Sequence, residues 1–169
     1  FECTGCIENC CLTRFYHHTF LECLYLRKGF AGLAESERAA VRERAEMYLE
    51  ALAHAGSGEK APAFRRMCPL NKDGWCILYA WRPMICRLHG IPHELAPPGR
   101  AKRVYGPGCA EFDNQCGHLP YHRFDRTGFY ARMSALEARL RQATGISGKC
   151  RKTVAHMLIQ DEVPADAIY

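Results

Sequence analysis

Cysteine is the residue type that could do chemistry in this chain. Eleven of its 169 residues are Cys, gathered as Cys3, Cys6, Cys10 and Cys11 at one end and as Cys68, Cys76, Cys86 and Cys109 further on. Two thiols separated by two residues, as in Cys3-Thr4-Gly5-Cys6, can turn back onto one ion, and such pairs recur in zinc and iron–sulfur sites. Adjacent side chains diverge, so Cys10 and Cys11 either serve two different metals, or one binds while the other packs. A disulfide framework is the competing reading. It suits small secreted chains that lack a sufficient core, whereas a chain of this length buries roughly 70% of its unfolded surface unaided. Spacing therefore points to metal.

Eight thiolates could form two closed zinc sites of four each, or ligate two four-cysteine iron–sulfur clusters, and spacing does not separate the two. Arg82 and Arg87 flank Cys86 and could donate hydrogen bonds to thiolate or inorganic sulfide, or make surface salt bridges instead. Trp75, Tyr79 and Trp81 could shield such a site or simply fill the core. Cys116 is the better reserve ligand, with Cys150 behind it. His89, His93, His118 and His122 lie near the later cysteines, but Pro92 and Pro120 interrupt their four-residue steps, so they are expected to be solvated or hydrogen-bonded.

Composition narrows the function classes. At 48% hydrophobic and 24% charged the chain resembles an ordinary globular protein, and no run of eighteen apolar residues predicts a membrane span. No signal-peptide pattern follows Phe1, and an odd cysteine count cannot be fully paired within one chain, so the expected compartment is the cytoplasm. The formal charge of +5 counts every thiol as neutral. Eight bound thiolates would turn it to −3 before the metal's own charge, so the basic balance reads as compensation. With basic residues scattered and no aromatic–basic motif, nucleic acid is not the expected partner. A radical-SAM spacing fails at Thr13, and no phosphate loop, dinucleotide fingerprint or acid–base pair stands out.

The elements that must position these residues read as helices. Leu12, Phe15, Tyr16, Thr19, Phe20, Cys23 and Leu24 recur at offsets of three and four, predicting one helix face on which Cys23 is a small buried hydrophobe. Ser36 opens a second helix carrying Val41, Ala45, Tyr48, Leu49 and Leu52 inward, ended by Gly56-Ser57-Gly58. Asn71-Lys72-Asp73-Gly74 is a turn before an apolar run, Trp75 to Tyr79, that reads as a strand or a tight knuckle. Pro83 starts a brief helix through Leu88 whose positive end would favour a Cys86 thiolate. Gly90 to Gly108 reads as an extended wrap. Asp125 caps a third long helix with an apolar stripe of Phe129, Met133, Leu136 and Leu140, and a last helix runs from about Ser147 to Gln160. The expected fold is mainly α: one small irregular helical domain over residues 1–169, organised around a cysteine-ligated metal centre, with little or no short β structure.

The run Cys76-Ile77-Leu78-Tyr79, Arg82-Pro83 and Cys86-Arg87, with Cys68-Pro69 before it and Gly108-Cys109 after it, resembles the YkgJ-like family, the CxxCxxCC zinc- or iron-chelating domain. The likeness covers about residues 3 to 109, leaving a helical part over about 110–169, and departs where Ile7, Glu8 and Asn9 separate Cys6 from Cys10. It implies a mainly helical fold and the eight cysteines as ligands. Relatives linked to redox and methylation chemistry, with the flagellin lysine-methylase carrying a similar cysteine group, tilt the expectation to an iron–sulfur protein that transfers electrons or supports a protein redox or enzyme partner. A colourless zinc-stabilised interaction module is the alternative, and a metal-dependent methyl or alkyl transferase the third reading.

Overall fold

A computed structural model describes residues 9–55, 64–99, 101–120 and 123–160. Helix α1 (Phe20–Ala31) starts at Thr19, whose hydroxyl accepts from the Glu22 N–H at 3.2 Å. Its first turn has a second acceptor: Glu137 of the distant helix α5 (Thr127–Thr144) takes the Leu21 N–H at 2.9 Å and the Phe20 N–H at 3.2 Å. A carboxylate at two orphan donors of a helix N-terminus satisfies them and complements the helix dipole. The apolar face expected from Leu12 onward is helical only from Phe20, because His17 pairs in an antiparallel bridge with Lys152.

Helix α2 (Glu35–His54) buries Val41, Ala45 and Tyr48 as the spacing predicts, with Leu49 and Leu52 packed against the same core. The turn beyond Asn71 is a hairpin of β1 (Asn71–Lys72) and β2 (Trp75–Cys76), with Asp73 at φ 52° and Gly74 at φ 89°. Two positive-φ residues are what a two-residue turn of this hand requires. A 3-10 turn (Tyr79–Trp81) and helix α3 (Met84–Leu88) follow. Trp81 lies so close to α1 that a Cβ at Gly29 would collide with its indole. Last in the chain order, α6 (Val154–Ile159) packs on both α1 and α2 and is closed by a Thr153–His156 capping box. Its Ala155, Met157 and Leu158 join Phe20, Leu24, Leu26 and Phe30 of α1 in one core.

The expectation of a mainly α domain with little or no short β structure is corrected: the fold is mixed α and β, with two small sheets. The stretch read as an extended wrap contains β3 (His93–Leu95) and β4 (Val104–Gly106), antiparallel to each other. Beyond helix α4 (Ala110–Cys116), β5 (Phe124–Asp125) adds to β3 in parallel, giving the order β4-β3-β5. Strands of two or three residues are too short to display a period of two.

The stripe expected on α5 is met only in part: Leu140 packs against the core and Met133 is half-buried. Phe129 and Leu136 are exposed, and the residue α5 buries is Glu137, held by the α1 amides and by the Arg141 Nε–H at 2.8 Å. Among the described residues, no helix is long and apolar enough to cross a membrane.

Candidate metal centre

Asn9 builds the turn that presents the first thiols. Its side-chain oxygen accepts from the Cys11 and Leu12 N–H groups at 2.9 and 3.0 Å, and its carbonyl accepts from Leu12 and Thr13. Cys68 docks on this turn by donating its N–H to the Cys11 carbonyl at 2.8 Å, while its own carbonyl accepts from Asn71 at 2.9 Å. Opposite Asn71 in the hairpin stands Cys76. Helix α3 brings Cys86 and is tied to α1 where Glu22 Oε1 accepts the Met84 N–H at 2.9 Å. Turn, hairpin and helix thus gather Cys10, Cys11, Cys68, Cys76 and Cys86 on one cleft of about 40 Å³, shared with Arg82, Tyr48 and His17.

Electrostatics binds the five thiols into one system. Cys11 is held well below the ordinary thiol range, first because its sulfur accepts from the Cys10 thiol and then from the Cys68 thiol and Asn71. The two donors are pushed up in turn, Cys10 by its bond to Cys11 and then by burial, Cys68 likewise. Burial raises Cys76, and it pushes Cys86 up to about 12, with the neighbouring Cys76 and Cys11 adding to the shift. Arg82 opposes these shifts at Cys10, Cys76 and Cys86 and adds to the lowering at Cys11. Burial thus works against the thiolate stabilisation expected for Cys86 from the positive end of α3, a helix of five residues.

Of the two arginines, Arg82 lines the cleft, with its guanidinium 3.6 Å from the Tyr79 ring and its Nε–H donated to the Tyr79 carbonyl at 3.1 Å. Arg87 turns to backbone instead, donating to the Arg82 carbonyl at 2.9 Å and to the Ala80 carbonyl. Cys109 and Cys116 stand at the two ends of α4 and do not line the cleft. Cys150 is paired with Cys23, away from it. Cys3, Cys6 and His122 lie outside the described residues. His89 packs edge-on to Phe15 and His93 covers Gly106, so neither faces the thiols.

Spacing gave no reason to single out His17, yet it is 2% exposed, lines the cleft, and among the described residues neither ring nitrogen has a hydrogen-bond partner. Burial, with the His18 charge adding to it, pushes its pKa down to about 4, so the imidazole is neutral near pH 7. A buried polar atom without a partner costs about 1–3 kcal/mol and calls for a water or an ion. The one signal that could have found it is the run of aromatic and apolar residues around His17, which predicts burial of whatever it contains.

The donor set fits a soft metal in chemistry: thiols that share protons, a cation beside them and a neutral imidazole. In geometry it is open, since among the described residues no three Cys, His, Asp or Glu side chains already stand so as to hold one ion. All five cysteines line the same cleft, so closing them on one ion asks for side-chain rotation within it. No family model, curated protein or solved structure matches the chain.

Proposed function

We propose that the cleft is a thiolate metal centre and that the chain is an iron–sulfur protein of the YkgJ-like type, passing electrons to or from a protein partner. The observation that carries the reading is the convergence of Cys10, Cys11, Cys68, Cys76 and Cys86 from a turn, a hairpin and a helix, next to Arg82. Either a closed zinc site or a four-cysteine cluster would use four of the five thiols, and it is the guanidinium beside them that favours a centre whose net negative charge grows on reduction. Cys3 and Cys6 stay in the ligand set on their spacing, with Cys6 only four residues from Cys10. Cys109 and Cys116 leave it, because they face elsewhere. When bound, the cluster supplies a one-electron carrier; the chain supplies the thiols, the Arg82 charge and the aromatic cover of Tyr48.

Zinc is the second reading, favoured by the small cleft and by the neutral His17, whose ring nitrogens make no hydrogen bond among the described residues, although Nδ1 lies 4.0 Å from Glu22 Oε1, and which could complete a mixed site. The deciding measurement is iron, zinc and inorganic sulfide in anaerobically purified protein, with electron paramagnetic resonance before and after dithionite. Iron with sulfide and a signal that appears or vanishes on reduction supports the redox reading. Stoichiometric zinc without sulfide sinks it and promotes the zinc module. Protein that takes up neither metal, even on reconstitution under reducing conditions, refutes both.

A further inference from the structure

The core holds a second pair of sulfurs that the cleft does not use. Cys23, within α1, and Cys150, in the segment that leads to α6, are 1% and 5% exposed, and their Sγ atoms lie 3.8 Å apart. Neither lines the cleft, and among the described residues each is perturbed electrostatically by the other and by no cleft cysteine. Residue 150 is pinned beside α1 by the bridge two residues on, in which the His17 N–H donates to the Lys152 carbonyl at 2.8 Å and the Lys152 N–H to the His17 carbonyl at 3.0 Å. We propose that Cys23 and Cys150 are a buried redox site, a dithiol that closes reversibly to an intramolecular disulfide joining α1 to the C-terminal segment.

A disulfide needs its sulfurs at about 2.05 Å, so closure from contact distance requires rotation about the two Cα–Cβ bonds and a small backbone shift. Lys152, 6% exposed, places its positive charge within reach of both sulfurs and favours a thiolate there. Either sulfur of the pair can donate to the other, and the Cys150 thiol also has the His17 carbonyl oxygen as an acceptor at 4.0 Å. The oxidant is a small peroxide. The Cys150 thiolate attacks one peroxide oxygen, the O–O bond breaks and hydroxide leaves, giving a sulfenic acid; the Cys23 thiol then attacks that sulfur, the S–O bond breaks and water departs with the thiol proton. In sum two thiols yield two electrons and two protons, and hydrogen peroxide becomes two waters. A dithiol reductant reverses the change by the matching exchange.

Burial sets the kinetics, since the peroxide reaches the sulfurs only when α1 or its neighbours open locally. Closure would also lock a contact between residues 127 positions apart, which restricts the unfolded chain and raises the melting temperature.

The test uses the full reduced chain, exposed to hydrogen peroxide, blocked with an alkylating agent, digested without reduction and mapped by mass spectrometry. The expected product is a peptide carrying Cys23 linked to one carrying Cys150, lighter by two hydrogens than the separate reduced peptides and lost on treatment with dithiothreitol. Oxidation should raise the melting temperature of the wild-type protein and leave that of Cys150→Ala unchanged. Recovery of both residues as alkylated thiols while cleft cysteines are oxidised overturns the proposal, as does a link from either one to a cleft cysteine. If Cys150→Ala does not fold, the wild-type peptide map decides alone. The result is independent of which metal the cleft binds.

Discussion

Glu22 is where the scaffold and the proposed metal centre meet, and Glu22→Ala should damage both. Its carboxylate is 8% exposed; Oε1 accepts the Met84 N–H at 2.9 Å and Oε2 accepts the Thr19 hydroxyl at 2.7 Å. Removing it leaves the first amide of α3 without its acceptor, and a hydrogen bond to a charged group contributes about 1.5–3 kcal/mol. Loss of an acidic residue from the first turn of α1 adds about 0.3–1 kcal/mol. The sum is about 2–4 kcal/mol, which in a chain of this size lowers the melting temperature by roughly 4–15 °C. Because α3 carries Cys86, the variant should also lose metal at temperatures where it is still folded by circular dichroism. Glu22→Gln keeps an oxygen for Met84 and should retain most of the metal. Glu137→Ala is the control, since it strips two amides of α1 without touching α3 and should cost comparable stability with metal content intact. Equal metal loss in Glu22→Ala and Glu137→Ala would show that global loosening, and not the placement of Cys86, governs the centre; a melting point within a degree or so of wild type would refute the assigned role of Glu22 itself.

His17 gives the metal-free protein a pH dependence. Its folded pKa of about 4 is below the ordinary 6.5, so the unfolded chain binds the extra proton and stability falls as pH drops from about 6.5 to about 4. The span is worth about 3 kcal/mol, and His17→Phe should flatten that part of a urea-denaturation pH profile. Gly29→Ala forces a methyl into the Trp81 indole and should destabilise by about 1–3 kcal/mol, read as a lower urea midpoint with an unchanged slope. Arg82→Gln removes the cation facing the thiols and should shift the midpoint potential of a bound cluster to more negative values, whereas Arg87→Gln, whose guanidinium is spent on backbone carbonyls, should leave it in place; equal shifts would remove Arg82 from the site.

The long helices were legible because their signals are local. In α2 the inward set Val41, Ala45 and Tyr48 follows the 3.6-residue period, and Asp73-Gly74 announces its turn by residue type alone. What the sequence hid depends on contacts between distant segments. The start of α1 was placed too early because the Lys152 bridge, 135 positions away, claims His17 for an extended strand-like pairing that no local pattern encodes. The apolar stripe of α5 is right at Leu140, which packs on the core, and wrong at Phe129 and Leu136, because the helix docks through the carboxylate of Glu137 and a charged residue occupies the buried position. At the site, clustering in sequence pointed to the five cysteines that line the cleft, but it also counted Cys109 among the ligands and held Cys116 in reserve, and α4 carries both elsewhere.

Most of these connections pass through α1. Thr19 and Glu137 satisfy its first amides, Glu22 reaches α3 beneath Cys86, Cys23 meets Cys150, and Gly29 receives Trp81 from the turn that precedes Arg82. Residues 22 and 23 are adjacent in the helix, so the carboxylate that holds the helix of Cys86 and the sulfur of the proposed Cys23–Cys150 redox pair share one backbone. A change of state at Cys23 that shifts α1 by even a fraction of an ångström acts on the Met84 amide first, because the 2.9 Å bond from Met84 to Glu22 is the shorter of two that join α1 to α3, the other running from Arg87 to the Tyr25 hydroxyl at 3.5 Å. Oxidising the Cys23–Cys150 pair should therefore alter the metal affinity of the cleft in the wild-type protein and have a smaller effect in Glu22→Ala, where that link is already broken. Equal effects in the two proteins would separate the sites and leave α1 a scaffold only.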